Sequence, residues 1–67
     1  MPYVNCRIME GVLDEDQKAE LAEQITEAFA RVVGEPVRRL TWVVIDDLST
    51  GHLTIGGRPV TAPTAPV

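Results

Sequence analysis

Residues 14–34 read DEDQKAELAEQITEAFARVVG and decide the fold, because they carry the start and the end of one long helix. Asp14 is a good N-cap, and Gln17, three residues later, completes a capping-box pattern. Apolar side chains then recur at helical spacing and form one stripe, made of Leu21, Ile25, Ala28, Phe29 and Val32. Gly34 is a helix stop, and Pro36 prevents the helix from continuing. We therefore predict a single amphipathic helix between Asp14 and Gly34.

The segment before this helix predicts a strand over residues 2–9. Its side chains alternate, with Val4, Cys6 and Ile8 on one face and Tyr3, Asn5 and Arg7 on the other. Pro2 opens the strand, where its missing N–H does no harm, and it shares the parity of the apolar face. We interpret Cys6 on that face as core packing and not as a nucleophile.

The segment after the helix, LTWVVI over residues 40–45, predicts a second strand that is apolar on both faces. Strand, helix and strand in this order imply a right-handed parallel crossover, which belongs to the α/β class. One face of the second strand must cover the helix. Nothing else in the chain is left to cover the other face, so we expect another subunit to cover it.

The last third of the chain predicts little regular structure. Residues 46–51 are expected to form a polar loop. Residues 52–55 and the Gly-Gly pair that follows them predict a short strand and a tight turn, in the manner of a hairpin laid on a neighbour. The expected division is one domain over residues 2–60 and a Pro/Thr/Ala-rich tail over residues 61–67, which has no means of forming a core.

Composition limits how such a chain becomes stable. It has 67 residues, of which 45% are hydrophobic and 24% charged, so it is one globular domain at most. A chain this short buries too small a fraction of its surface to be comfortably stable alone. Its one cysteine, Cys6, excludes an internal disulfide, and its one histidine, His52, offers no Cys/His cluster for zinc. We therefore expect oligomerisation, and no metal or other cofactor.

Charge and hydropathy narrow the expected partners. The net charge of −4 argues against nucleic acid. No run approaches the roughly 18 apolar residues of a membrane span, and no leader-like segment precedes the first strand. A lone thiol suits a reducing compartment, so the expected location is cytoplasmic, with no membrane partner.

The dipeptide Met1-Pro2 suggests a catalytic role for the amino terminus of the chain. Aminopeptidases of the cytosol remove an initiator methionine when the next residue is small, so we expect a mature chain that begins with the free secondary amine of Pro2. The pKa of such an amine lies not far above roughly 7.7–8.0, the range of α-amino groups. A low-dielectric site lowers that pKa towards neutrality, where a general base works best.

Several short motifs occur along the chain: Pro2 at the start, the strand end Ile8-Met9-Glu10-Gly11, the helix start Asp14-Glu15-x-Gln17-Lys18, Gly34-x-Pro36, a β-branched second strand, and Gly51-His52-x-x-Ile55-Gly56-Gly57. In this order and spacing they resemble the 4-oxalocrotonate tautomerase family over roughly residues 2–57. The resemblance implies a β-α-β protomer, dimers that pair their sheets, and a trimer of dimers. It also implies that the N-terminal proline is a catalytic base, which moves a proton within an enol or a conjugated keto acid.

The chain departs from the family pattern at three positions. Val12 stands where the family has an arginine after the first strand, and the loop carries one extra residue. Thr41 stands in place of a second family arginine, and Leu53 replaces an aromatic residue after the Gly-His pair. In the family, the two arginines bind the substrate carboxylate and polarise its carbonyl. The acid-base centre is therefore kept, while the usual means of recognising a dicarboxylate is not.

Other arginines are candidates for this recognition. Arg39 stands two residues before Thr41, so we expect it to project from the same strand face and to clamp a carboxylate. Arg7 is expected on the strand face away from the helix, lining a subunit interface. Arg38, pointing the other way, and Arg58, after the Gly-Gly turn, are weaker candidates, as is His52 as a general acid.

The leading hypothesis is a small tautomerase in which Pro2 is the base and an arginine binds the substrate anion. Leu53, Trp42 and Ile55, from more than one subunit, are expected to wall a hydrophobic pocket, although Trp42 also suits interface packing. One alternative is a hydratase or dehalogenase of substituted acrylates, with a protonated Pro2 as acid and Asp46 or Asp47 activating water. Another is a partner-binding subunit of a mixed hexamer, in which a related chain brings the missing arginines.

Overall fold

The computed structural model describes residues 1–59 of the chain. The helix and the strands are β1 (Tyr3–Met9), α1 (Glu15–Val33), β2 (Trp42–Leu48), β3 (Thr54–Ile55) and β4 (Arg58–Pro59), with 3₁₀ segments at Glu35–Leu40 and Thr50–His52. β1 and β2 pair in parallel, and β3 and β4 form an antiparallel hairpin. The predicted β-α-β order and the C-terminal hairpin are thus confirmed. The expected tail over residues 61–67 lies outside the described residues.

The ends of α1 are those that the sequence predicts. The Asp14 carboxylate accepts a hydrogen bond from the Gln17 N–H at 2.8 Å, and the Gln17 side chain accepts one from the Asp14 N–H at 3.0 Å. This capping box satisfies two donors that the first helical turn would otherwise leave unpaired. At the other end, Gly34 has φ 131°, a conformation that favours glycine, and its N–H donates to the Ala30 carbonyl at 3.0 Å.

The predicted apolar stripe of α1 is correct only in part. Leu21, Ile25 and Phe29 are half-buried, but Ala28 is exposed and Val32 is 85% exposed. Burial on α1 is instead greatest at Ala30, which is 5% exposed and is the one fully buried residue within residues 1–59. The buried side of α1 therefore includes Ala30 and excludes Val32.

The second strand begins and ends later than expected. Leu40 and the two arginines before it belong to the 3₁₀ helix Glu35–Leu40, which has a proline in its first turn. Thr41 closes this 3₁₀ helix, since its N–H donates to the Arg38 carbonyl at 3.3 Å and its hydroxyl donates to the Val37 carbonyl at 2.8 Å. Residues 46–48 lie in β2, so the expectation that a polar loop begins at residue 46 is wrong.

Two bonds explain why β2 tolerates consecutive aspartates. The Asp46 carboxylate accepts a hydrogen bond from the Asn5 amide of β1 at 2.9 Å. The Asp47 carboxylate, one residue on and therefore on the opposite face, accepts one from the Lys18 ammonium of α1 at 2.7 Å. Each carboxylate thus has a partner on its own side of the sheet.

The sheet has one covered face and one open face. Val4, Cys6 and Ile8 are half-buried against α1, as predicted. Tyr3 is in register with Trp42, and both side chains are exposed on the opposite face. Because successive side chains alternate, this open face also carries Arg7 and Asp46.

Candidate active site

Pro2 is fixed at the start of the parallel sheet by its main chain. Its carbonyl oxygen accepts a hydrogen bond from the Trp42 N–H at 2.9 Å. A proline lacks an N–H but can still accept in this way, so it joins the edge of the ladder without leaving a donor unpaired. Pro2 is half-buried, whereas Met1 is 78% exposed and extends beyond the sheet. The geometry holds Pro2 in place and leaves Met1 accessible.

The start of β2 and the end of the 3₁₀ helix lie beside Pro2, because parallel strands begin at the same edge of a sheet. We call the group made of Pro2, Arg39, Leu40 and Trp42 the proline edge. Leu40 and Trp42 are exposed there, and Trp42 is 55% exposed. Apart from Arg39, the proline edge of a single protomer is therefore apolar and open.

Arg39 is not on the strand, which corrects the reason for expecting it to bind substrate. It lies in the 3₁₀ helix Glu35–Leu40 and is exposed. The parity argument from Thr41 fails because β2 begins only at Trp42. Its position two residues before Thr41 nevertheless keeps Arg39 within the proline edge.

Arg38 points to carboxylates of its own protomer. Its guanidinium donates to Glu35 and to Glu27, each at 2.6 Å. The hydrogen bonds to Glu35 and Glu27 raise the pKa of Arg38, and the bonds from Arg38 lower the pKa values of both glutamates. All three groups are therefore charged at neutral pH, and the guanidinium of Arg38 is already occupied.

Arg7 lies on the open face of the sheet, as predicted, and is exposed. It is in register with Asp46, near the carboxyl end of β1. Arg7 stands five positions after Pro2 along the strand, which corresponds to about 16 Å. Within one protomer, Arg7 does not belong to the proline edge.

The two aspartates that a hydratase would need are also remote from Pro2. Asp46 stands four residues after Trp42 on the same strand, which is about 13 Å. Asp47 faces α1 and is ion-paired with Lys18, and this bond raises the pKa of the Lys18 ammonium. Neither carboxylate can activate a water beside Pro2 of its own protomer, so the geometry gives the hydratase alternative no support.

The hairpin and the 3₁₀ turn that precedes it follow the carboxyl ends of the strands. The Glu10 N–H donates to the Leu48 carbonyl at 2.9 Å, and the Thr50 N–H donates to the Glu10 carboxylate at 3.5 Å. These two bonds keep the turn Thr50–His52 at this end of the sheet. The residues of this region that were predicted to be functional are His52, Leu53, Ile55 and Arg58, of which only Leu53 is half-buried.

This arrangement separates the two halves of the predicted pocket. β1 spans Tyr3–Met9, so its ends lie about 20 Å apart. Leu53, directly after the 3₁₀ turn, is at one end, and Pro2 is at the other. A pocket that contains both residues must therefore be built from two protomers.

Sequence reasoning missed the 3₁₀ helix and the ion pairs that hold it. Glu35 and Arg38 stand three residues apart, the spacing of one 3₁₀ turn, and Pro36 is well suited to a first helical turn. These signals were present between Gly34 and the second strand. The pairing of Arg38 with Glu27 had no such local signal, because the two residues are 11 positions apart.

Within residues 1–59, no group of three or more His, Cys, Asp or Glu side chains is placed to hold a metal ion. None of the helices in the same range combines the length and the apolar character that crossing a membrane requires.

Comparison with known proteins places this geometry in a family. A family model described as Tautomerase enzyme matches residues 2–62. A Bacillus cereus protein named a probable tautomerase is 38% identical over 58 residues, which cover 87% of this chain and 92% of that protein. A 2-hydroxymuconate tautomerase of Pseudomonas putida is 37% identical over 59 residues, which cover 88% of this chain and 90% of that enzyme.

Solved structures agree with the sequence relatives. The crystal structure of YwhB, described as a homologue of 4-oxalocrotonate tautomerase, matches with a TM-score of 0.78 and 27% identity, over 88% of this chain and 93% of that one. DmpI from Helicobacter pylori, at 23% identity, has the same fold with a TM-score of 0.74, over 88% of this chain and 90% of its own. The β-α-β protomer that carries the proline edge is thus that of the tautomerase family, to which this chain belongs as an enzyme of the isomerase class.

Proposed function

We propose that the chain is a tautomerase whose general base is the secondary amine of Pro2, exposed when Met1 is removed. The amine takes a proton from an enol and returns it to carbon, which gives the keto form and regenerates the base. The observation that supports this assignment is the placement of Pro2, half-buried and anchored through its carbonyl, with Met1 exposed beyond it. A retained Met1 converts the nitrogen of Pro2 into an amide, which is neither a base nor an acid.

The environment of Pro2 suits this role. Its neighbours in the proline edge are apolar, apart from Arg39. Apolar surroundings disfavour the ammonium form, and a nearby guanidinium does the same, so both lower the pKa of the amine. A base that is substantially neutral at physiological pH can accept a proton without first losing one.

The substrate that we propose is a small enol with one carboxylate. Arg39 is the only cation of the proline edge within the described residues, so it is the candidate anion anchor. Trp42 of the same protomer and Leu53 of another supply apolar walls. The dicarboxylate implied by the name 2-hydroxymuconate tautomerase needs a second anchor. Arg7 of a neighbouring protomer is the candidate for that role.

We further propose that the enzyme is a homo-hexamer, a trimer of dimers, in the cytoplasm. Only Ala30 is fully buried within residues 1–59, and the open sheet face exposes Tyr3 and Trp42 together. A protomer with so small a core gains most of its apolar burial by association. Association also brings Leu53 of one protomer towards Pro2 of another, which the pocket requires.

The experiment that tests the base compares the chain with Met1 removed and the chain with Met1 retained, each identified by its intact mass. We expect the processed chain to ketonise an enol acid such as phenylenolpyruvate. We expect the retained form to be inactive while showing the same circular dichroism and the same number of subunits in native mass spectrometry. Equal turnover by the two forms would show that Pro2 is not the base.

A further inference from the structure

Arg38 joins α1 to the 3₁₀ helix Glu35–Leu40 through its side chain, in addition to the chain connection at Gly34. Its guanidinium donates from Nε to Glu35 Oε1 at 2.6 Å, within the 3₁₀ helix, and from Nη2 to Glu27 Oε2 on α1, also at 2.6 Å. A further contact from Nη2 to Glu35 Oε2 measures 3.3 Å. Glu27 also pairs with Arg31 of α1 at 3.4 Å. We call Glu27, Glu35 and Arg38 the clamp.

The clamp suits arginine in particular. A planar guanidinium presents several donors in a fixed fork, so it can hold two carboxylates in a defined geometry, whereas an ammonium is a single point charge. Arg38 and Glu27 are both partly shielded from solvent, with side chains 38% and 41% exposed. The clamp therefore fixes the direction of the 3₁₀ helix relative to α1, which a simple attraction between charges would not do.

Hydrogen bonds continue from the clamp to the proline edge. The Arg38 carbonyl accepts from the Thr41 N–H at 3.3 Å, and the Thr41 hydroxyl donates back to the Val37 carbonyl at 2.8 Å. The next residue, Trp42, donates its N–H to the Pro2 carbonyl at 2.9 Å. Arg39 lies within this bonded segment and is exposed, so the direction of its side chain depends on how the 3₁₀ helix is held.

We propose that Arg38 is a positioning residue, which holds the 3₁₀ helix on Glu27 of α1 and thereby aims Arg39 at the site beside Pro2. This inference rests on the proposed function, in which Arg39 binds the substrate carboxylate. Arg38 itself touches no substrate, because its guanidinium is already bonded to Glu27 and Glu35. The sequence alone made Arg38 a weak candidate for substrate contact; the geometry gives it a different role.

The first test is Arg38→Gln, assayed with a carboxylate-bearing enol and with the methyl ester of the same enol. We expect KM for the acid to rise about tenfold, the usual order for a weakened charge-assisted contact, with kcat little changed. The ester has no carboxylate for Arg39 to bind, so its kinetics should stay close to those of the wild type. A merely destabilised protein would lose activity towards both substrates.

Glu27→Gln separates positioning from direct electrostatics. It breaks the same contact as Arg38→Gln but changes the net charge in the opposite direction. If the charge of Arg38 acted directly on the anionic substrate, the two variants would shift KM in opposite directions. If the clamp positions Arg39, both raise KM for the acid, and the double variant is no worse than either single variant.

Arg31→Gln is the matched control. It removes one positive charge, as Arg38→Gln does, and its side chain also contacts Glu27. Arg31 is 78% exposed on α1 and makes no bond to the 3₁₀ helix. We expect its KM for the acid to stay within about twofold of the wild type, the usual range for a surface substitution.

Three results would overturn the inference. One is unchanged KM for the acid in both Arg38→Gln and Glu27→Gln, while Arg39→Gln raises it; the proposed function would then stand without the clamp. Another is an opposite shift of KM in the two clamp variants. The third is an unchanged KM for the acid in Arg39→Gln, which would rule out both the role of the clamp and Arg39 as the anion anchor. The assignment of Pro2 as the base would not be affected, since the comparison of the chains with and without Met1 tests it separately.

Discussion

The N–H of Trp42 donates to the carbonyl oxygen of Pro2 at 2.9 Å, so the first residue of β2 holds the residue that precedes β1. This bond joins main chain to main chain. It therefore survives changes of side chain at either position, provided that the strands still pair. Variants at Pro2 and at Trp42 can accordingly be interpreted as changes in chemistry or in packing, with the backbone of the site kept in place.

Pro2→Ala should keep the fold and the assembly but lose roughly 10²–10⁴-fold in rate, the usual contribution of a positioned general base. Residual activity is expected, since processing still leaves a primary amine. In the proposed mechanism the active form is the neutral amine, so kcat/KM of the wild type should fall as the pH drops through the pKa of that amine. We expect this pKa below the ordinary α-amino range, and an NMR titration of Pro2 should give the same midpoint.

Arg39→Ala should lower kcat/KM for a carboxylate-bearing enol. The decrease should correspond to a loss of about 2 kcal/mol or more of transition-state stabilisation, in line with the loss of a charge-assisted contact. Arg39→Gln should not restore it, because the amide carries no charge. Arg31→Ala, on the exposed surface of α1, is a control that removes the same charge away from the proline edge. If steady-state kinetics were unchanged in Arg39→Ala, the anchor would have to be Arg7 or Arg58 of another protomer, or an arginine of a second type of subunit.

Trp42→Ala should weaken assembly, since it removes a large aromatic side chain that is 55% exposed on the open face of the protomer. Native mass spectrometry at micromolar concentration should show a hexamer for the wild type and smaller species for the variant. Val12→Ala, in the loop after β1, is the control for losing apolar surface elsewhere. A stable folded monomer of the wild type would contradict the interface, and a hexamer that forms only with a related chain would favour the mixed assembly.

Arg38→Gln should reduce stability in a manner that depends on pH. The bonds from Arg38 lower the folded-state pKa values of Glu27 and Glu35. Their contribution is therefore present above the unfolded value of about 4.3 and is lost as the pH falls through the lowered values. The difference in urea midpoint between wild type and variant should be largest near neutral pH, vanish in acid, and shrink in high salt, because these groups are partly exposed. A difference that persisted in acid would assign the stabilisation to packing.

Asp14→Ala should destabilise the chain by about 1 kcal/mol, because it removes the acceptor of the Gln17 N–H at the start of α1. Asp16→Ala, two residues on, removes the same charge without touching the cap. Chemical denaturation of both variants at one protein concentration measures the difference. Equal losses in the two variants would mean that charge near the helix start matters and the cap does not.

The helix and the first strand could be predicted from sequence because their determinants are local. The capping box at Asp14, the glycine at 34 and the alternation around Cys6 each depend on neighbours a few residues away. The residues of α1 that face the sheet were predicted less well. Val32 fits the helical period but is 85% exposed, whereas the fully buried residue of α1 is Ala30, which lies outside the predicted stripe.

The candidate site was less predictable, because it depends on where β2 begins. An apolar run such as LTWVVI does not reveal that its first residue, Leu40, ends a 3₁₀ helix and that its second, Thr41, caps it. This shift by two residues removed Arg39 from the strand and placed Asp46 and Asp47 on it. The partner of Arg38 on α1 is distant in the sequence, and only the folded chain brings the two together.

The near absence of a core has a consequence for handling the protein. With Ala30 as the one fully buried residue of the described range, folding and association are expected to form a single equilibrium. The melting temperature of the protein should then rise with protein concentration, and dilution alone should unfold the chain. Activity measured at nanomolar enzyme would report the fraction of assembled chains as much as their chemistry. Specific activity should therefore decrease once the enzyme is diluted below a threshold concentration.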